Sequence, residues 1–149
     1  MMFQQQRLTI FVTQWQRVLF TYSDKTAVKP AKIVVLIDDD PNVLDAVENV
    51  LSGSGYHVVA LPSCDNIFNV IDAHKPDLIL LDLLLGDQDG RLICKAVKNN
   101  PKTSNIPVII ISGSPDIYNT INEDCANDVV EKPFIEETLL SRIERQLRH

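Results

Sequence analysis

The sequence predicts an α/β domain built on a doubly wound parallel sheet. Short apolar runs, such as residues 33–37, 78–81 and 108–111, have the length of strands and lack the polar alternation of a half-exposed sheet. An entirely apolar run suits a strand that helices cover on both faces. Between the runs lie longer segments whose apolar residues recur at helical spacing. Five strands that alternate with five helices imply parallel strands joined by right-handed crossovers.

Helix-start and helix-stop residues set the boundaries in the first half of this domain. Asp40 and Pro41 follow the first strand, and they suit the N-cap and the first position of a helix. Ser63 is the expected cap of the second helix, which we expect to end before Pro76. The strands of this half are predicted at residues 32–38, 56–61 and 77–82.

The second half contains two well-marked helices and one weakly marked helix. The third helix follows the loop at residues 86–90 and is predicted to bury Leu92 and Val97. The fourth helix is predicted at residues 115–124, and we expect it to be the least regular, because this segment is rich in Asn, Asp and Thr and contains few apolar residues. The final helix, at residues 134–147, has glutamates early and arginines late, as the helix dipole favours. The strands of this half are predicted at residues 106–112 and 129–130.

The chain is predicted to divide into an N-terminal extension, residues 1–31, and a domain, residues 32–149. Residues 23–31 have the composition of a linker. Before them, seven apolar residues recur at helical spacing: Leu8, Phe11, Val12, Trp15, Val18, Leu19 and Tyr22. The pattern fits a poorly ordered leader or an over-early start codon. It also fits an amphipathic helix that covers an apolar patch on its own domain, a partner or a membrane surface, and the sequence leaves both interpretations open.

Composition and charge argue against several classes of function. The chain has 149 residues and a net charge of −6; residues 1–31 carry +3, so the remainder carries −9. An acidic body argues against general nucleic-acid binding, which needs a basic face. No apolar stretch has the length of a membrane span, and no signal peptide is evident. The three cysteines lack metal-binding or redox spacing, which suits small core residues in a reducing cytoplasm, so we expect a cytoplasmic protein.

Residues suited to holding a phosphate and a divalent ion follow the predicted strands. Asp38 and Asp39 follow the first strand and Asp82 follows the third, while Ser112 ends the fourth and Lys132 follows the fifth. Because the strands of such a sheet end at one edge, we expect these side chains to meet there. Clustered carboxylates repel one another and need a compensating cation, and oxygen ligands suit Mg²⁺. One carboxylate could then attack phosphorus, while the hydroxyl and the ammonium hold the transferred oxygens.

Taken in this order, the motifs resemble the receiver domain of two-component response regulators, over roughly residues 32–149. Asp89–Gly90 at the end of the loop, and Lys132–Pro133–Phe134 with the cis peptide usual in that family, add to the resemblance. It implies a flavodoxin-like sheet of five parallel strands in the order 2-1-3-4-5, with five helices. The roles it implies are Asp82 as phosphoacceptor, Ser112 and Lys132 as its catalytic partners, and Asp38, Asp39, Asp82 and the backbone carbonyl of Leu84 as ligands of Mg²⁺.

Several features depart from the family pattern, among them the approach to the fifth strand, where residues 125–128 read Cys-Ala-Asn-Asp in place of the usual Gly-Ala-Asp-Asp. The family usually has an aromatic residue three positions before the lysine, where this chain has Val129, which is stiff and has no ring to swing inward. Gly86 replaces the loop proline after the phosphoacceptor, which should loosen the loop and leave the ligands intact. The stretch between Ser112 and Lys132 is slightly shorter than usual. We therefore expect the phosphorylation chemistry to be better supported than the family's usual output switch.

The resemblance implies a single-domain response regulator that takes a phosphoryl group from a phosphohistidine of a sensor histidine kinase or a histidine phosphotransfer protein. Because the chain has no room for an output domain, we expect the signal to pass through binding of a partner protein or through phosphorelay. Such a protein is a switch with self-catalysed phosphorylation and hydrolysis, and it is not a metabolic enzyme. The downstream target is unspecified, and a homodimer is left open.

Two alternatives remain on the sequence alone. The first is a hydrolase that forms an aspartyl phosphate; it would need a second acid where Leu84 stands, and a substrate-covering cap. The second is a pseudo-receiver that binds partners without being phosphorylated. The intact acids and lysine disfavour this reading, but Val129 keeps it open.

Overall fold

The computed structural model describes residues 28–122 and 125–148. The chain divides into two units, Met1–Pro30 and Ala31–His149, and the second contains all the elements described below. The predicted leader or amphipathic helix falls almost wholly on residues 1–27, outside the described residues. Within the described ranges, no helix is both long enough and apolar enough to cross a membrane.

Five parallel strands form the central sheet: β1 (Ile33–Ile37), β2 (His57–Leu61), β3 (Leu78–Leu81), β4 (Val108–Ser112) and β5 (Asp128–Glu131). Their order is β2-β1-β3-β4-β5, and every neighbouring pair is parallel. This order confirms the predicted doubly wound sheet. A small antiparallel hairpin follows β3 and pairs Leu84–Leu85 with Gln88–Asp89; we refer to it as the 84–89 hairpin.

Five helices lie between and after the strands: α1 (Pro41–Gly53), α2 (Ile67–His74), α3 (Gly90–Asn99), α4 (Asn119–Asn122) and α5 (Glu136–Leu147). The number agrees with the prediction, and the fourth helix differs most from it. A 3₁₀ turn, Pro115–Tyr118, takes up the first half of the predicted segment, and four α-helical residues follow it within the described part of the chain. The polar composition of this segment explains why it does not begin as an α-helix, because Asn and Thr side chains compete for backbone hydrogen bonds.

Two local predictions are wrong and one is confirmed. Asp40 caps α1 as expected, since its side chain accepts a hydrogen bond from the Asn42 amide at 2.9 Å. Ser63 does not cap α2: the N-cap residue is Asn66, and the Ser63 hydroxyl pairs with Asp65 instead. Leu92 is 66% exposed rather than buried. The buried face of α3 is set by Gly90, Cys94 and Val97 at spacings of four and three residues, which places Leu92 on the opposite flank.

The core consists of two apolar layers, one on each face of the sheet. On β1, Val35 and Ile37 belong to one layer and Val34 and Leu36 to the other, because alternate side chains of a strand point to opposite faces. Helices α2 and α3 cover the first layer, and α1 and α5 cover the second. The central strands β1, β3 and β4 are therefore buried on both sides, which is why their sequences are almost entirely apolar.

The strand order places a crevice at one edge of the sheet. β1 pairs with β2 on one side and with β3 on the other, so chain connections leave β1 and β3 in opposite directions. In open α/β sheets, ligands bind at this reversal, beyond the carboxyl ends of the strands. Asp38 and Asp39 follow β1 directly, and Asp82 follows β3.

Candidate functional site

Three carboxylates meet at this crevice, and we call Asp38, Asp39 and Asp82 the acidic cup. Each offers an oxygen within 4.8 Å of the others. Backbone pairing continues one residue beyond β1 and β3: the Asp38 amide donates to Leu61 O at 3.2 Å, and the Asp82 amide donates to Ile37 O at 3.0 Å. These two residues are buried at 2% and 8% exposure, while Asp39 is exposed to solvent. The sheet therefore fixes two of the acids, and the third faces outward.

Lys132 supplies a positive charge to the acidic cup. Its backbone amide donates to Ser112 O at 2.9 Å, which extends the pairing of β4 and β5 and aims the side chain across the sheet edge. The Nζ atom lies 2.6 Å from Asp38 Oδ2 and 3.2 Å from Asp82 Oδ2. One ammonium therefore pairs with two of the three carboxylates, and the cup keeps an excess of negative charge.

The electrostatics of the site follow from burial and from these pairs. Burial raises the pKa of Asp82, the positive charge of Lys132 lowers it, and the negative charge of Asp38 raises it again; the net pKa lies above the ordinary value. Burial alone would lower the pKa of Lys132. Its hydrogen bond to Asp38 and the charges of Asp82 and Asp38 outweigh burial, so the pKa of Lys132 is raised. Lys132 is accordingly a firmly charged ammonium, and Asp82 is a more basic carboxylate than usual.

Ser112 lies at the end of β4, beside the strand end that carries Asp82. It is 1% exposed, and its Oγ accepts a hydrogen bond from the Ser114 amide at 3.2 Å. Its carbonyl is the acceptor for the Lys132 amide, so the hydroxyl residue and the lysine are held on neighbouring strands. The structure thus brings all the predicted side chains to one edge of the sheet, with the Ser112 hydroxyl turned to its own loop.

The 84–89 hairpin borders the cup. The Leu84 amide donates to Asp82 Oδ1 at 3.3 Å, and the Leu84 side chain is 61% exposed. The predicted ligation of an ion by the Leu84 carbonyl stays a prediction. The Gly86 amide donates to Asp39 Oδ2 at 3.0 Å, a contact that the sequence analysis missed. Its only signal in the sequence was a glycine where the resembled family has a proline, which lacks an amide hydrogen.

Gly90 explains how the chain turns from the hairpin into α3 so close to the cup. Its amide donates to Leu83 O at 2.7 Å, and a Cβ added at this position would lie 2.2 Å from the Asp82 carbonyl oxygen. No side chain fits at that distance. Asp89 precedes it as the N-cap of α3 and accepts a hydrogen bond from the Arg91 amide. The predicted Asp–Gly pair therefore closes the loop, and Asp89 is a cap.

Comparison with known proteins agrees with this architecture. The family model of the response regulator receiver domain matches residues 34–144, which is most of the chain. The protein belongs to this family. Receiver domains of response regulators are signalling modules of two-component systems.

Individual relatives point the same way. Over 119 residues the chain is 34% identical to the DNA-binding dual master transcriptional regulator RpaA of Synechocystis sp., covering 77% of this chain and 48% of RpaA. It is 27% identical over 117 residues to the DNA-binding response regulator MtrA of Mycolicibacterium smegmatis, covering 77% of this chain and 50% of MtrA. The chain thus spans about half the length of these curated relatives.

A solved structure shares the fold. The signal receiver domain of a signal transduction histidine kinase from Syntrophus aciditrophicus superposes with a TM-score of 0.72 and is 26% identical, covering 79% of this chain and 91% of that one. The parallel sheet and its strand order are therefore those of receiver domains.

Proposed function

We propose that Asp82 accepts a phosphoryl group from a phosphohistidine of a histidine kinase or histidine phosphotransfer protein, with Mg²⁺ bound in the acidic cup. The observation that carries this proposal is the meeting of three carboxylates and one ammonium at the edge between β1 and β3. The proposed output is binding of a partner protein or onward transfer of the phosphoryl group.

The donor set of the cup fits Mg²⁺. The three residues offer hard carboxylate oxygens within 4.8 Å of one another, and Mg²⁺ prefers such ligands while keeping several waters. Asp39 is exposed, so an ion could enter from solvent, and Lys132 leaves most of the negative charge uncompensated. When bound, Mg²⁺ would offset the charge that builds up on the transferred phosphoryl oxygens.

Asp82 is the proposed nucleophile. One of its oxygens attacks phosphorus, the bond between phosphorus and the donor's imidazole nitrogen breaks, and the imidazole leaves with the bonding electrons. An acyl phosphate remains on Asp82. Burial raises the pKa of this carboxylate, so its oxygens are more basic, and its position at the end of β3 holds them at the mouth of the crevice.

Lys132 and Ser112 are proposed to hold the phosphoryl oxygens. Lys132 already lies 3.2 Å from Asp82 Oδ2, so its charge is available where negative charge arrives. The Ser112 hydroxyl accepts from the Ser114 amide, and its own hydrogen can be donated to a phosphoryl oxygen. Val129 is buried in the core layer to which α2 and α3 contribute, and its side chain cannot take over the role of a swinging ring.

The test is phosphorylation by a small donor. The chain is incubated with acetyl phosphate and Mg²⁺, and intact mass is measured for the wild type, Asp82→Ala and Asp87→Ala. Asp87 is an exposed acid of the same loop outside the cup, so this variant controls for loss of a nearby charge. We expect one added phosphate in the wild type and in Asp87→Ala, and none in Asp82→Ala.

The same three proteins, assayed also with small phosphoesters, separate the alternatives. Turnover of small phosphoesters without a stable adduct would support a hydrolase. If the wild type and both variants are folded and none gains mass, the result would support a pseudo-receiver and would refute the proposal.

A further inference from the structure

The exposed acid Asp39 is held differently from the other two acids of the cup. Asp38 and Asp82 share the Lys132 ammonium, whereas the Asp39 carboxylate receives a hydrogen bond from the Gly86 backbone amide at 3.0 Å. Forty-seven residues of chain separate the two partners. The contact joins the loop after β1 to the 84–89 hairpin, which follows β3.

Gly86 can make this contact because of its backbone conformation. Its φ is +62°, and it is the first of the two residues that join the strands of the hairpin. A two-residue hairpin turn often requires positive φ at its first position, which glycine adopts without strain. Proline, which the resembled family has here, is fixed near φ of about −65° and has no amide hydrogen. The exchange of proline for glycine thus creates a donor aimed at a proposed metal ligand.

The hairpin that carries this donor is itself anchored. The Gln88 side-chain amide donates to Asp65 Oδ1 at 3.2 Å, and the Leu84 amide donates to Asp82 Oδ1 at 3.3 Å. The Gly90 backbone packs directly on the Asp82 carbonyl. Because the hairpin is fixed on both sides of its turn, the Gly86 amide has a defined position and can orient the exposed Asp39 side chain.

We propose that the Gly86 amide is a positioning group for Mg²⁺ binding: it holds the Asp39 carboxylate in the orientation that the ion requires. The inference rests on the proposed Mg²⁺ site. One oxygen of Asp39 accepts the amide hydrogen, and the other is left to the ion. Outer-shell donors of this kind fix the orientation of metal ligands, and their loss typically weakens metal binding by about 10-fold to 100-fold.

The test measures Mg²⁺ affinity directly, by calorimetric titration of the purified chain without any phosphoryl donor. Gly86→Pro removes the amide hydrogen, and we expect it to weaken Mg²⁺ binding by about 10-fold or more. Gly55→Pro is the matched control. Gly55 also has positive φ, +89°, and its amide also donates a hydrogen bond, to Ser52 O, but it lies in the turn after α1, away from the cup. We expect Gly55→Pro to lower stability and to leave Mg²⁺ affinity within about twofold of the wild type.

A second variant removes the hydrogen and keeps glycine's freedom of φ. Cys64 and Cys94 bracket residue 86, so the chain can be assembled from three segments by ligation, with an ester in place of the amide between Leu85 and Gly86. We expect this ester to weaken Mg²⁺ binding to a similar extent as Gly86→Pro. Urea unfolding in EDTA establishes that each variant is folded before it is titrated.

The outcomes distinguish this inference from the proposed function. A wild type that binds no Mg²⁺ would overturn both. A wild type that binds Mg²⁺, with the Gly86→Pro and ester variants binding it as tightly or more tightly, would overturn the inference alone, because the amide would then be neutral or would compete with the ion. If Gly55→Pro weakened Mg²⁺ binding as much as Gly86→Pro, the inference would also be overturned, because the loss of affinity would then follow from general destabilisation of the domain.

Discussion

Replacing Lys132 by methionine should destabilise the metal-free domain strongly at neutral pH. The ammonium lies 2.6 Å from Asp38 and 3.2 Å from Asp82, whose side chains are 3% and 10% exposed. Each pair has a gross attraction of about 5–6 kcal/mol at an effective dielectric constant of about 20, and desolvation of the charges offsets much of it. Removing one partner of a buried ion pair costs about 3–5 kcal/mol. Because Lys132 is partly exposed, we expect a value near the lower end, about 3 kcal/mol.

The pH dependence of this loss identifies its cause. In the wild type the pKa of Lys132 is higher in the folded than in the unfolded chain. Lys132 therefore makes its full contribution to folding stability below the pKa of an unfolded lysine, and this contribution is lost only as pH rises through the higher folded-state pKa. In the variant, two buried carboxylates face each other without a cation. The folded-state pKa of Asp82, already raised, should then lie further above its unfolded value, so the folded state gains stability as pH falls and Asp82 takes up a proton.

Urea unfolding in EDTA at about pH 7.5 and about pH 5.5 measures both effects. The control is Lys32→Met, which breaks another lysine–aspartate pair of 3.0 Å, to Asp77 at the opposite edge of the sheet. Its side chains are 42% and 31% exposed, so we expect a loss of about 0–1 kcal/mol with little pH dependence. A Lys132→Met loss no larger than that of Lys32→Met, or a loss that is as large at the lower pH, would refute the reasoning.

Three further predictions concern the same edge of the sheet. Gly90→Ala should lower the free energy of unfolding by about 3 kcal/mol, because the added Cβ would lie 2.2 Å from the Asp82 carbonyl oxygen. Gly53→Ala, whose Cβ would have nothing within 4 Å, should leave that free energy unchanged or raise it by up to about 1 kcal/mol. The midpoints of urea unfolding compare the two variants. Asp82→Asn should stabilise the protein in EDTA at neutral pH by about 1 kcal/mol, because the raised pKa of Asp82 means that its ionised form opposes folding. The gain should shrink as pH falls and Asp82 takes up a proton; a gain that grows instead would contradict the sign. Leu84→Asn should speed loss of the phosphoryl group severalfold, because an amide in place of the apolar side chain no longer hinders the attacking water. Intact mass followed over time measures this loss. The control is Leu92→Asn, at a similarly exposed leucine of α3, which we expect to lose the phosphoryl group as slowly as the wild type.

Much of the fold could be predicted from the sequence because burial leaves a strong pattern. A strand covered on both faces must be apolar throughout, and the runs at β1, β3 and β4 carried that signal. The cap at Asp40 was also predictable, because its physics is local: a carboxylate accepts from an amide two residues away. The Ser63 cap and the burial of Leu92 were wrong for the same reason, since each depends on where a helix begins relative to the sheet.

The sequence predicted which residues form the candidate site, but it did not predict the contacts between them. Parallel strands end at one edge, so the acids, the hydroxyl and the lysine could be assigned to that edge from their order alone. The sequence could not show that Lys132 bridges Asp38 and Asp82, or that Asp39 is held by Gly86. Both contacts join residues that lie far apart in the chain.

The charged residues of α5 show the same difference between what the sequence predicts and what the tertiary structure decides. The sequence explained Arg145 and Arg148, near the end of this helix, by the helix dipole. In the structure, Arg145 pairs with Asp128, a buried acid at the start of β5, and Arg142, for which the sequence suggested no role, pairs with the same acid. The sequence by itself determined the order of elements, the parallel sheet and the edge where its polar residues gather, because these follow from local propensity and burial. Only the tertiary structure decided which charges and amides meet, because those pairings depend on distances between chain segments that no local pattern records.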